Sequence, residues 1–183
     1  PVWVNIENGV AAMAVAWLNG VTDKELRRGM GSFKGVRRRF NIHIQTPHWV
    51  YIDDYAHHPE ELAALIKSAK TLFPKKKCVV AFQPHLFSRT KDFAAEFAHS
   101  LDMADEVLLL DIYPARELPM EGVTSELIKS YMGNPNVTIM TKEGLVSYAA
   151  NAPLELFITS GAGDIDKLVQ PIKAHLEARY GKI

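Results

Sequence analysis

One cysteine stands in the whole sequence, Cys78, inside the apolar run CVVAF. No disulfide can form within the chain, and a reducing, cytoplasmic setting is expected. Net charge is absent too: Lys+Arg and Asp+Glu both number 21. A general binder of nucleic acid or of a membrane surface needs a net basic field, so both classes are disfavoured. The basic runs RRR (37–39) and KKK (75–77) are local, and KKK reads as solvated surface after a helix end. No apolar run reaches the ~18–20 residues of a membrane-spanning helix. No signal peptide, internal repeat or low-complexity segment is visible. Neither a full GxGxxG nor a P-loop occurs.

What is present is a packed-core composition, 48% hydrophobic over 183 residues, enough for one domain or one domain plus a piece of another. The chain opens on Pro1-Val2-Trp3 and moves straight into a helical pattern, so a piece of a longer protein is expected. Ile6, Val10, Met13, Ala14 and Trp17 recur at helical spacing over 5–19, and Gly20 offers a C-cap. Residues 22–30 predict a short second helix capped by Thr22 or Asp23. The glycine-punctuated stretch 31–40 is the candidate boundary, dividing residues 1–34 from 35–183.

After it, strands and helices alternate. Segments 40–45 and 48–54 predict a hairpin across Thr46-Pro47. Helices are expected at 59–72 (stripe Leu62, Leu65, Ile66, Ala69, Leu72), 91–103 (Phe93, Phe97, Leu101), 124–132, 142–150 and 164–180. Between them lie strands at 77–83, 105–113, 136–140 and 154–161. Strands spaced by helices of this length predict right-handed crossovers and a mostly parallel sheet with helices on both faces.

In such a sheet, ligands gather at the carboxyl ends of the strands. Those ends read DDYAHHP (53–59), QPHLFSRT (83–90), DIYPARE (111–117) and TSGAGDID (159–166), all polar or rich in glycine and proline. A metal site on DDYAHHP is disfavoured, because adjacent histidines diverge and the cysteine lies in a strand. His58 could cap the helix that Pro59 starts, and Glu60 and Glu61 suit its positive terminus. Asp54, Tyr55 and His57 sit on the turn itself and are the functional candidates there. Arg89 suits a carboxylate or phosphate held bidentately, against the alternative of a surface salt bridge. SGAGD is either an anion-holding turn or a tight turn that needs glycine. RRRF (37–40) either holds a phosphate or stays solvated.

Together NIEN, GVRRRF, DDYAHHPEEL, FQPHLFSRT, DIYPARE and TSGAGDID, in this order over nearly the whole chain, resemble the Mur ligase family. The resemblance implies the last helices of a central ATP-binding domain followed by the Rossmann-like C-terminal domain that receives the incoming amino acid. It implies ATP as cofactor and Mg2+ bound outside these residues, with no metal ligand among them. UDP-N-acetylmuramate and L-alanine are the implied partners, joined as an amide through an acyl phosphate in peptidoglycan precursor synthesis. It further implies that Asn5, Asn8, Arg39 and Asp54 face the nucleotide. Tyr55, His57, His85 and Arg89 would face the acyl and amino-acid site, with His57 and Arg89 as catalytic residues. Gly161 and Gly163 would lie near the substrate.

Two departures from the family pattern affect the site: Leu86 stands where an arginine is common, and Val4 where a histidine is common. The phosphate-gripping loop is outside these residues, so the 183 residues are expected to be inactive alone. Three rivals remain. A ligase of the same family recycling a murein tripeptide shares the chemistry. A dehydrogenase or other nucleotide-binding Rossmann-like module would need GxGxxG where DDYAHHP stands. A non-enzymatic binding module would scatter Asp54, His57, His85 and Arg89 over opposite faces.

Overall fold

The computed structural model describes residues 3–180, with side chains described for 5–179. Two helices come first, α1 (Trp3–Leu18) and α2 (Asp23–Ser32). Thr22 caps α2 with a full capping box: its hydroxyl accepts from the Glu25 N–H, and the Glu25 carboxylate accepts from the Thr22 N–H at 3.0 Å. Gly20 takes φ +87° after α1, the left-handed turn expected of it. The apolar stripe expected on α1 is not buried. Ile6, Val10 and Trp17 are exposed, and the half-buried positions of α1 are Asn5, Gly9, Met13 and Ala16.

The rest is a six-stranded sheet in the order β1-β2-β6-β3-β4-β5. Its strands are β1 (Asn41–Gln45), β2 (Val50–Asp54), β3 (Cys78–Phe82), β4 (Glu106–Leu109), β5 (Val137–Ile139) and β6 (Leu156–Ser160). The expected hairpin is β1 against β2, antiparallel; every other pairing is parallel. Helices α3 (Pro59–Leu72), α4 (Phe87–Asp92), α5 (Ala94–Leu101), α6 (Ser125–Tyr131), α7 (Lys142–Asn151) and α8 (Val169–Tyr180) follow their strands. Alternate residues of the apolar strands serve different layers. Val80, Phe82, Ile52 and Ile158 pack with Leu62, Leu65, Phe97 and Ile128 on one face. Val79, Ala81, Tyr51 and Phe157 pack with Leu145, Ile172 and Leu176 on the other. That two-sided burial is why the strands read as unbroken hydrophobic runs.

Helix α3 occupies its predicted span, with Pro59 in its first turn beside Glu60 and Glu61. Leu62, Leu65, Ile66 and Ala69 are buried, but Leu72 is 45% exposed, since the stripe leaves the sheet at the last turn. Three other expectations need correction. The helix predicted at 91–103 is two short helices, broken at Phe93 (φ −123°, ψ 21°), with the first beginning at Phe87. The strand predicted at 105–113 ends its ladder at Leu109, beyond which the chain makes only an isolated bridge between Tyr113 and His85. Residues 164–168 form a 3-10 turn before α8 rather than part of one long helix.

Candidate functional site

β6 lies between β2 and β3, so TSGAGDID sits between DDYAHHP and QPHLFSRT. The turn after β2 carries Tyr55 and His57 with ring centroids 5.0 Å apart, and His57 lies 6.1 Å from His85 across the strand ends. The Tyr55 carbonyl can only accept, so the His57 Nδ1 donates to it at 3.0 Å. Glu61 adds to this hold: its carboxylate accepts from the His57 backbone N–H at 3.0 Å and lies 3.3 Å from Nδ1.

His85 stacks on Tyr113 (5.7 Å, 17°). The chain then turns through Leu86, a non-glycine residue at φ +73°, whose N–H donates to the Tyr113 carbonyl at 2.9 Å. Arg89 follows one turn into α4. Burial, then the Arg89 charge, then His57 hold the His85 imidazole below its usual range, so it is neutral at pH 7. Its Nδ1 and the Arg89 Nη1 are both buried without a hydrogen-bond partner among the described residues. Two orphaned polar atoms on one rim are where a ligand's polar group would be relieved of competition from water. The structure thus brings Tyr55, His57, His85 and Arg89 together.

Asp54 ends the same strand but turns inward. Its carboxylate accepts from the Ala56 N–H at 2.7 Å and the Phe40 N–H at 2.5 Å, and it is 7% exposed. With Asn5, Arg39, Glu60 and Glu61 it lines a pocket of about 190 Å³ between α1, the linker and α3. Asn8 is exposed and outside this pocket. Arg39 lies 3.7 Å from Glu61 and 5.7 Å from the Tyr55 ring centroid. His58 occupies the N-cap of α3 through its carbonyl, which accepts from the Leu62 N–H. It thus caps the helix as expected, while its side chain makes no cap bond and packs on the Phe93 ring, centroids 5.0 Å apart.

The sequence reading passed over Arg38 and Asp53. Consecutive strand residues face opposite sides, so the DD doublet had to send one carboxylate to each face, and that signal was available. Asp53 is 2% exposed, lies 3.6 Å from the Arg38 Nε and accepts from the Thr159 hydroxyl at 3.2 Å. Burial outweighs Arg38 and lifts the Asp53 carboxyl to about 6. A carboxyl raised on folding contributes stability that is full below its unfolded pKa and is lost as pH rises through the folded value. From pH 4 to pH 7 the wild type should therefore lose roughly 3 kcal/mol relative to Asp53→Asn, the scale set by a shift of about two units. Urea unfolding of both proteins across that range checks it; parallel curves would refute it.

Both glycines of SGAGD have a packing reason. Gly161 takes φ +145°, and a Cβ there would meet the Gln83 carbonyl oxygen at 2.6 Å. A Cβ on Gly163 would meet the Tyr113 Cβ at 2.6 Å, so its absence lets the turn lie against the ring that carries His85. The segment leads into a five-residue 3-10 turn rather than an α-helix N-terminus. Gln83 locks it: its amide donates to Asp164 at 2.9 Å and its side-chain oxygen accepts from the Ile165 N–H at 2.9 Å.

The linker pocket offers an amide, a guanidinium and carboxylates, which fit part of a nucleotide, though its volume is below that of a site enclosing a whole one. Among the described residues no three His, Cys, Asp or Glu side chains converge on one point. Among the same residues no helix is long and apolar enough to cross a membrane.

A mostly parallel sheet opening on an antiparallel hairpin, two helices ahead of it, and a histidine–arginine rim at the strand ends define an α/β domain of Rossmann-like class. The chain belongs to the Mur ligase family: residues 38–163 match the family model described as the Mur ligase glutamate ligase domain. It is 54% identical to the UDP-N-acetylmuramate–L-alanine ligase of Porphyromonas gingivalis over 97% of this chain and 39% of the relative. It superposes on the UDP-N-acetylmuramate–alanine ligase of Thermotoga maritima with TM-score 0.75 at 28% identity, covering 98% of this chain and 38% of that one. It shares the fold of the murein peptide ligase of Psychrobacter arcticus with TM-score 0.67 at 20% identity, covering 98% of this chain and 37% of that one. The chain thus spans under two fifths of the length of these relatives.

Proposed function

We propose that residues 35–183 are the amino-acid-receiving domain, and residues 1–34 the end of a central ATP-binding domain, of a cytoplasmic ligase joining L-alanine to UDP-N-acetylmuramate. ATP, with Mg2+ held outside the described residues, would supply the activating phosphate on the sugar's carboxylate. The pair of buried, unpartnered polar atoms on His85 and Arg89, facing the His57 turn, is the observation that carries this reading. Arg89 holds the carboxylate of the incoming amino acid. Neutral His85, stacked on Tyr113, lines the same space and adds no competing charge. As the amine nitrogen bonds to the acyl carbon, phosphate leaves with the electron pair of the C–O bond. The His57 Nε2 takes the amine proton, its tautomer held by the Tyr55 carbonyl. Asn5, Arg39 and Asp54 form the wall on the nucleotide side, and Asn8 is left without a place in it.

The test is phosphate release by the full-length protein with ATP, Mg2+ and UDP-N-acetylmuramate. Release that depends on L-alanine is expected. Release that depends on the murein tripeptide instead would assign the recycling activity, and no amine dependence would refute the ligase reading. The 183 residues alone are expected to release none.

A further inference from the structure

We infer that Arg38 is the positioning residue of this site, setting the Tyr55–His57 pair from the linker; the catalytic part of the inference rests on the ligase reading above. Arg38 and Phe40 are both non-glycine residues in the left-handed region, at φ 59° and 49°. Such backbone persists where surrounding contacts over-determine it, and here they do. The Arg38 carbonyl accepts from the Tyr55 N–H at 2.7 Å, and the Phe40 N–H donates to Asp54.

One hydrogen bond and two longer ion-pair contacts hold the Arg38 side chain, whose buried Nε makes no hydrogen bond among the described residues. Its Nη2 donates to the Gly161 carbonyl, its Nε lies 3.6 Å from Asp53, and its Nη1 lies 3.7 Å from Asp166. Its Cζ sits 5.0 Å from the centroid of the Tyr55 ring, a cation–π distance. Asp53 is itself fixed by Thr159, whose hydroxyl lies 3.1 Å from the buried Tyr51 hydroxyl. One guanidinium therefore ties the linker, β2, the SGAGD turn and the 3-10 turn to the face of Tyr55.

Both neighbouring arginines flank Tyr55, Arg38 at 5.0 Å and Arg39 at 5.7 Å from its ring centroid, but only Arg38 has its carbonyl bonded to the Tyr55 N–H, while Arg39 also reaches Glu61, whose other carboxylate oxygen receives the His57 N–H. Arg37 is exposed and serves as the control. A group that places a base acts on turnover, because small displacements of a reacting group are costly in rate.

The test has two arms. In the 183-residue chain with labelled tyrosine and histidine, Arg38→Gln should abolish the ring-to-ring NMR cross-peaks between Tyr55 and His57, while Arg37→Gln keeps them. Cross-peaks retained in a folded Arg38→Gln protein overturn the inference. If that variant does not fold, Arg38→Lys decides in its place: it keeps a charge beside Asp53 but cannot fork to Gly161 and Asp166. It should weaken the same cross-peaks, and unchanged peaks overturn the inference. In the full-length protein, Arg38→Gln should lower kcat at least about tenfold with KM for ATP within about twofold. Unchanged kcat in the folded variant overturns the positioning role. A wild type without L-alanine-dependent turnover would refute the ligase reading alone, leaving the cross-peaks to decide the placement of Tyr55 and His57.

Discussion

Replacing Arg89 by alanine in the full-length protein is expected to lower kcat/KM for L-alanine by roughly thirty- to several-thousand-fold, the range of about 2–5 kcal/mol for removing one partner of a desolvated charge pair. The reason lies in the approach of α4. The chain leaves β3 through Gln83 and Pro84, turns at Leu86 with positive φ, and starts a helix that keeps the Arg89 charge near His85. Its Nη1 is buried without a hydrogen-bond partner among the described residues, as is His85 Nδ1. Leu86 beside it is apolar and supplies no second cation, so the amino-acid carboxylate would depend on Arg89. Arg89→Lys should recover only part of the loss, since an ammonium cannot make the planar two-point contact. The measurement is the L-alanine dependence of phosphate release; a change under threefold in Arg89→Ala would remove Arg89 from the site.

The second large effect is structural. Gly161→Ala should destabilise the domain by about 2–4 kcal/mol, combining left-handed strain with overpacking against a fixed neighbour. At φ +145° the new Cβ would lie 2.6 Å from the Gln83 carbonyl oxygen. That oxygen belongs to the backbone at the end of β3, where the Gln83 N–H donates to the Ser160 carbonyl at 3.0 Å, so relief requires shifting a central strand. Chemical unfolding of the two proteins measures it, and a difference below about 0.5 kcal/mol, the scale of a neutral surface change, would show that the strand end yields.

Much of the fold was legible locally. Pro59, Glu60 and Glu61 mark the start of α3, and the hairpin follows from two apolar segments around Thr46-Pro47. The break at Phe93 was not legible. Phe97 and Leu101 are buried and Phe93 packs against the same cluster, so one apolar stripe runs through two helices and periodicity cannot register the interruption. Leu72 was misread as buried because spacing specifies a face and not how far the sheet extends beneath it.

The site divides the same way. Residue types and order in DDYAHHP and QPHLFSRT were enough to single out Tyr55, His57, His85 and Arg89, because a parallel sheet sends all its strand ends to one rim. The sequence could not show that Asp54 is held by backbone N–H groups under the linker, or that the SGAGD glycines exist for Gln83 and Tyr113. Nor could it pair Arg38 with Asp53 and Gly161. The contact between Arg38 and Gly161, 123 positions apart, arises because the last strand inserts between β2 and β3. Local pattern determines which segments become strands and helices and what chemistry they carry. The strand order, chosen by the packing of the whole sheet, decides which of those groups meet.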